Sequence, residues 1–364
     1  MFIRKVKFED YLNIKKLTKK YNLSIFKKKD WINIWKNNPY LKKEKKSFTR
    51  GWVLENKKKI VGHIGNIPTQ YSYNLKNYNG SIISCWVVEP KHRLHSVRLV
   101  QEFVSQENND FFIATTSNKK TAKTLSAFGW NRMPNNDYNN KLYIVLRSEN
   151  VVRSYVKKNF FFSNIIINKL LYYIVSVVFK KKINYWKNFK ISKEVKIYKN
   201  FNSDFDNLWK KLKNKKKKTF LFNRSSEWLN WHLGSKLKNK GAFILVNKKD
   251  KAIEGYAVCI IKKVKNLGLK KAVLTDLVSL EDNTRSYMDL ILQSIEHSIK
   301  LKCDLLEIVG FKENKRKIIK IFKPFEKKSK FSPFFFKSNN LNLNKALLKK
   351  EIWDPSEIDG DSIY

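Results

Sequence analysis

The sequence predicts an α/β (α+β) protein in two tandem halves, each a mixed, mostly antiparallel sheet with a central β-α-β unit and flanking helices. Three observations lead there. The stretch Ser81–Trp130 reads as strand, helix, strand, helix, and parallel neighbours need such a crossover. The element order seen before residue 150 returns after about residue 191, as an internal repeat does. The chain has 364 residues, 42% of them hydrophobic, enough for two cores of ordinary size. The expected organisation is residues 1–150 as an N-terminal domain, 151–190 as an apolar and basic connector helix, 191–345 as a C-terminal domain, and 346–364 as an acidic tail.

The first half opens with a short strand, Phe2–Val6, and a helix carrying Leu12, Ile14, Leu17 and Tyr21. A second helix carries Trp31, Ile34 and Trp35, and Pro39 should end it. Gly51–Glu55 and Ile60–Gly65 flank the polar Asn56–Lys59 and read as a hairpin. Ile67–Tyr73 and Ser81–Val88 should pair around Asn77–Gly80. After Glu89-Pro90 and the basic Lys91-His92-Arg93 comes a helix with Val97, Leu99, Val100, Phe103 and Val104. Phe111–Thr116 is extended, Asn118 starts another helix, and Leu142–Leu146 is expected to close the first sheet.

Phe160–Phe179 is apolar and long enough for a bilayer, but Lys169 lies in its middle, at a cost of about 2.5–3.5 kcal/mol on insertion. With Ile166, Leu170, Tyr173, Ile174 and Val177 on one face, it reads as an amphipathic connector, docked on the domains or in peripheral membrane contact through 160–182, before it reads as a transmembrane span. The second half then has a strand at Glu194–Tyr198 and helices with Phe205, Leu208, Trp209, Leu212, Trp228, Leu229 and Trp231. A hairpin follows, Ala242–Val246 with Gly255–Lys262, then a strand at Ala272–Leu280 and an amphipathic helix at Tyr287–Leu301. Leu305–Val309 is a strand, Ile318–Phe322 helical and Phe331–Phe336 extended. The tail, Trp353–Asp361, is acidic. Its Asp359-Gly360-Asp361 reads as a solvated turn or a clamp on the basic surface before it reads as a metal-binding turn.

The formal net charge of +45 comes mainly from Lys spread along the whole chain. A phosphate-reading surface favours Arg for its bidentate fork, and no zinc spacing, RNA-binding consensus or basic-region heptad is present. Nucleic acid is therefore not the expected partner, although the field draws any anion closer. Cys85, Cys259 and Cys303 are widely spaced and read as small buried residues in a reducing compartment, without a disulfide framework or metal site. Met1–Asp10 has no apolar core for a signal peptide, so the expected location is cytoplasmic or peripheral at the inner face of the membrane.

One motif carries chemistry. Val88-x-Pro90-x-x-Arg93 follows a strand and precedes a helix, and Asn118 stands before a helix that ends in Gly129-Trp130. This arrangement resembles the acyl-CoA-binding core of the GNAT acyltransferase superfamily. The resemblance implies acetyl-CoA or another acyl-CoA as donor substrate. It implies Val88, Arg93, Ser96, Arg98 and Asn118 as donor-binding residues, with Arg93, Ser96 and Arg98 around the pyrophosphate. Glu89 and His63 are the candidate catalytic bases, and Asp276 is a third if the acceptor lies between the halves. The family's G-x-G spacing is replaced by Leu94, Ser96 and Arg98, and its frequent Tyr by Leu125. The second half resembles the same fold with no phosphate signature. Two such halves with an Asp-Gly-Asp tail are similar to bacterial proteins associated with surface-polysaccharide biosynthesis. The implied function is an N-acyltransferase acting on an amino sugar or related amine. A catalytically inactive GNAT-derived scaffold and an aminoacyl-tRNA-dependent transferase are the alternatives.

Overall fold

Successive residues of Gly51–Asn56 and Lys59–Tyr73 point to opposite faces and both faces are buried: Val53, Ile60 and Ile67 pack in one core, Trp52, Leu54, Val61 and Ile64 in another. The computed structural model describes residues 1–23, 26–43, 49–134, 136–159, 172–174, 177, 185–191, 195–329 and 333–363. β1 (Phe2–Lys5) pairs antiparallel with β2 (Gly51–Asn56). Between them α1 (Tyr11–Lys20) buries Tyr11, Ile14 and Leu17, while Leu12 is 60% exposed and lies off the expected face. α2 (Lys28–Lys36) buries Trp31, Ile34 and Trp35, and Pro39 opens a further short helix, α3 (Pro39–Lys43).

β2 turns into β3 (Lys59–Tyr73) through Lys57 and Lys58, both at positive φ as a tight hairpin requires. β3 meets β4 (Lys76–Val88) through Asn74 and Leu75, also at positive φ, so the turn is not at Asn77–Gly80 as expected. Gly80 lies inside β4 for a packing reason: a Cβ there would stand 2.4 Å from the Phe111 ring. Then follow α4 (Ser96–Val104), β5 (Phe111–Ala114), α5 (Lys119–Ala127), β6 (Asn131–Arg132), β7 (Lys141–Val145) and α6 (Ser148–Asn159).

The second half repeats the plan. It contains β8 (Val195–Tyr198), α7 (Ser203–Lys215), β9 (Leu221–Phe222), α8 (Ser226–Lys238), β10 (Ala242–Lys249), β11 (Ala252–Val264) and β12 (Leu269–Ser279). Next come α9 (Thr284–Lys300), β13 (Leu305–Ile308), α10 (Glu313–Ile321), β14 (Phe325–Lys327), β15 (Phe335–Ser338) and α11 (Leu341–Leu347). One sheet runs β1-β2-β3-β4-β5-β15-β6, with β9 also against β3; the other runs β14-β7-β13-β12-β11-β10-β8. In each, one central pair is parallel, β4 with β5 and β12 with β13. The α/β architecture of two mixed sheets is the one the sequence predicts.

The halves exchange strands. Leu142–Leu146 does not close the first sheet: β7 pairs with β13 and β14 of the second. The place beside β5 is taken by β15, from far along the chain. Both open edges need a short apolar antiparallel strand, and local alternation cannot say which edge a strand will reach. Burial decides it: Leu142 and Ile144 pack in the core of the second sheet, Phe335 packs with Phe112 and Leu125 of the first half, and Phe336 joins a cluster that both halves share. The two sheets therefore do not divide at residue 150.

Among the described residues no helix is long and apolar enough to cross a membrane. Of the expected connector, 151–190, residues 151–159 belong to α6, while most of the expected membrane-contact stretch, 160–182, lies outside the described residues; Tyr173, Ile174 and Val177 are exposed.

Candidate functional site

Strands β4 and β5 are in register only from Gly80–Ile82 against Phe111–Ile113. Beyond that point β4 runs on to Val88, and the two strands part. A bulge causes the departure: Cys85 and Trp86 together stand opposite Ile64, and Cys85 has φ +47°, a left-handed conformation rare for a side-chain-bearing residue. His63 holds the bulge from behind. Its ring is 2% exposed, and Nδ1 lies 2.9 Å from the Cys85 carbonyl oxygen. A carbonyl only accepts, so Nδ1 carries the proton and donates it, leaving Nε2 bare and without a partner. Burial pushes the ring's pKa down to about 4, so His63 is a neutral strut rather than a residue at the cleft.

Two adjoining cavities fill the space between the parted strands, and they share Leu23, Trp86, Asn118 and Thr121. The outer one, about 600 Å³, is lined by Val88, Arg93, Ser96, Lys119 and Lys120 among others, so its mouth is cationic. The inner one, about 270 Å³, has apolar walls from Phe26, Ile83 and Ala114 and a polar floor from Thr116, Ser117, Asp361 and Ser362. The polarity runs from positive mouth to acidic floor.

The sequence-predicted residues divide on this geometry. Val88, Arg93, Ser96 and Asn118 line the outer cavity together. Arg93 sits in a 3-10 stretch, Pro90–His95, that leads into α4 at Ser96. The Asn118 side chain caps α5, accepting from the backbone of Lys120 at 2.9 Å and Thr121 at 3.0 Å. Arg98 is exposed on α4 and lines neither cavity. Glu89 is 4% exposed and faces a separate pocket between α1 and the β2–β3 turn. There Lys20 Nζ donates to it at 3.0 Å and holds its carboxyl below the usual range. Asp276 is 1% exposed and fully engaged, by Arg224 through Nε at 2.9 Å and Nη2 at 3.0 Å and by the Tyr256 hydroxyl at 2.7 Å. Neither Glu89, His63 nor Asp276 lines the cleft.

The tail, read from sequence as a solvated turn or a clamp, is buried in the structure. Trp353 is 2% exposed, packed against Phe220, Phe334 and Phe336, and its Nε1 donates to Leu347 O at 2.7 Å. The tail next crosses the place in the second half that matches the cleft of the first. β12 and β13 pair only as far as Leu274 and Ile308, with Thr275 bulged out between Leu274 and Asp276. Just past β13, Ser356 bridges Gly310, and Phe311 N donates to Pro355 O. Gly310 is required there, having φ +94° and room for a Cβ only 2.7 Å from Pro355 O. Lys315 Nζ ties Asp354 Oδ2 at 2.6 Å to the Leu277 carbonyl of β12 at 2.7 Å.

From there the tail reaches the first half. Gly360 lies against Thr115, and Asp361 Oδ1 accepts from Thr115 Oγ1 at 3.2 Å and Thr116 Oγ1 at 3.1 Å. Burial pushes the Asp361 carboxyl up to about 6 while the two threonine hydroxyls pull it back. Sequence reasoning missed this residue as a site residue. Its signals were the Asp359-Gly360-Asp361 motif and acidic character in a basic chain, and neither points to the cleft.

No model of a known protein family matches this chain, and no curated protein does. Solved structures do. The class they and the topology define is a pair of tandem GNAT-like domains, the fold expected from Ser81–Trp130. A protein of unknown function from Enterococcus faecalis V583, described as a probable N-acyltransferase, superposes with a TM-score of 0.58 at 8% identity, over 96% of this chain and 74% of its own. A GCN5-related N-acetyltransferase from Anabaena variabilis gives 0.55 at 8% identity, over 93% and 72%. Saccharomyces cerevisiae N-myristoyltransferase with bound myristoyl-CoA gives 0.55 at 11% identity, over 92% and 82%. At such identities the likeness establishes the fold.

Proposed function

We propose that this protein is an acyl-CoA-dependent N-acyltransferase whose donor site is the cleft of the first half. One observation carries the reading. An open cleft with a cationic mouth lies between β4 and β5, whereas the matching place of the second half is occupied by Asp354–Ser356. Arg93, Lys119 and Lys120 would meet the donor's phosphates at the mouth, with α4 and α5 presenting their N-terminal ends nearby. The amide-bearing arm of the donor would lie along the β4 edge from Ile83 to Val88, which the shortened ladder turns toward the cleft. The thioester would then come to rest by Trp86 and Thr116, at the inner cavity. Fold neighbours described as N-acyltransferases support the class of reaction. For the acceptor we propose an amino sugar or related amine of cell-surface polysaccharide biosynthesis, the class implied by the likeness in domain plan.

Calorimetric titration with acetyl-CoA at two salt concentrations tests the donor site, on wild type and Arg93→Ala. The expected result is saturable binding that survives salt and is weakened by Arg93→Ala. With so much positive charge any polyanion is collected at low ionic strength. Binding that salt abolishes equally in both proteins, or no binding, overturns the reading.

A further inference from the structure

We infer that Asp361, delivered by the C-terminal tail to the floor of the first cleft, is the general base that receives an ammonium acceptor and takes its proton. The inference rests on the acyltransferase reading and supplies what that reading lacks. The reaction needs a base, and the three residues nominated from sequence stand elsewhere, Glu89 beside Lys20, His63 behind the bulge and Asp276 with Arg224 and Tyr256.

Three features place Asp361 in this role. It lines the inner cavity together with Cys85, Trp86 and Thr116, a cavity that Arg93, Lys119 and Lys120 of the outer one do not line. The Thr115 and Thr116 hydroxyls bond the same oxygen, Oδ1, and aim the carboxylate. The tail is built to approach this closely, since a Cβ on Gly360 would stand 2.3 Å from Thr115 Oγ1. Among the described residues, few titratable groups surround Asp361. Glu357 of the tail raises its pKa, Cys85 from β4 and Tyr138 lie within its field, and Lys262 Nζ is engaged by Ser362 O at 3.2 Å. In a chain of +45 the floor is thus a local anionic site, suited to a protonated amine and not to an alcohol or a carboxylate. A carboxyl held near 6 is mostly ionised at neutral pH and still basic enough to accept a proton.

The step balances. Asp361 takes one proton from R–NH3⁺, and the freed nitrogen lone pair attacks the thioester carbonyl carbon. The C–N bond forms and the C–S bond breaks. The CoA thiolate leaves and is protonated by the second proton lost from nitrogen, while Asp361 returns the first to solvent. Acyl amide, free thiol and one proton are the products.

Thiol release from acetyl-CoA tests the inference, with 2-aminoethanol and hydroxylamine as nucleophiles. The first is an ammonium ion at pH 7.5 and needs a base; hydroxylamine is already neutral there. For wild type, the 2-aminoethanol reaction should rise with pH along a limb near pH 6. Asp361→Asn should abolish that limb and lower kcat by about 10²–10⁴-fold. It should lower the hydroxylamine reaction less than about tenfold and leave acetyl-CoA affinity unchanged. Asp361→Glu should restore part of the rate. Equal loss with both nucleophiles would make Asp361 structural and overturn the inference, as would no loss. A wild type that binds acetyl-CoA without accelerating thiol release overturns it and leaves the donor site standing. A wild type that binds no acetyl-CoA overturns the acyltransferase reading itself.

Discussion

Asp354→Ala should unhook the tail from the second half and cost about 3–5 kcal/mol, the range for breaking a buried ion pair by removing one partner. The side chains of Lys315 and Asp354 are 3% and 7% exposed, and their Nζ···Oδ2 distance is 2.6 Å. After the change Lys315 keeps the Leu277 carbonyl and the faces of the Tyr287 and Phe311 rings but no anion bonded to it, and Lys312 N loses its acceptor at 3.1 Å. An independent figure comes from titration. Lys315, followed by Lys216 and Arg224, outweighs a large burial penalty and lowers the Asp354 carboxyl from 3.8 to about 2. At about 1.4 kcal/mol per unit this is about 2.5 kcal/mol, less than the truncation cost because titration leaves no unpaired ammonium behind. The sign follows: this contribution is present above pH 4 and lost as pH falls through about 2. Urea unfolding across pH, on wild type, Asp354→Ala and the Asp354→Leu/Lys315→Met pair, measures it. The double variant should recover most of the loss, since an apolar pair carries no buried charge. If Asp354→Ala costs less than about 1 kcal/mol, the tail is not anchored there.

Three further outcomes follow from the same contacts. Gly360→Ala keeps an allowed backbone but drives a methyl into Thr115, so it should cost about 1–3 kcal/mol in urea unfolding. On the acyltransferase reading it should also cut amine-dependent thiol release by about 10²-fold through misplacing Asp361. Trp353→Ala removes a ring buried among Phe220, Phe334 and Phe336 and should cost about 3–5 kcal/mol by the same measurement. His63, neutral in the fold with its pKa near 4, contributes stability above pH 6.5 that is lost as pH falls to about 4, up to about 3 kcal/mol. His63→Gln should flatten that part of the stability–pH curve.

How much of this was legible in the sequence depends on the range of the interaction that decides it. The β-α-β stretch was legible because its signals are local: a period-two run, a Pro stop, a helical face with Leu99, Val100 and Phe103 buried as the spacing implies. The outer cavity was legible for the same reason, since Val88, Arg93 and Ser96 sit within one strand end and one helix start. The destination of β7 and β15 was not legible, because alternation marks a strand's faces and not its neighbour. The polar Asn77–Gly80 misled for another reason: a glycine there serves the Phe111 ring rather than a turn. The surroundings of the catalytic candidates were not legible, because they depend on partners distant in sequence. Glu89 is taken by Lys20, 69 residues away, and Asp361 meets Thr115 across 246.

The second half makes sense once the tail is traced through it. A second sheet with the same bulge and the same parted strands would offer a second cleft, yet its phosphate signature is missing and its opening holds Asp354–Ser356. That occupation is what gives the tail a fixed origin. Six residues separate Asp354 from Asp361, and an untethered run of that length would sample far more positions than the one that meets Thr115 and Thr116. Anchored at Trp353 by aromatic packing and at Asp354 by Lys315, the same segment has little freedom left. The exchange of β7 and β15 and the contact of β9 with β3 bind the two sheets to each other as well. On this reasoning the second half acts as the mount for a carboxylate used by the first. A deletion ending at Ile352 should then keep acetyl-CoA binding at the outer cavity while losing amine acylation; loss of both together would mean that the tail shapes the donor site as well.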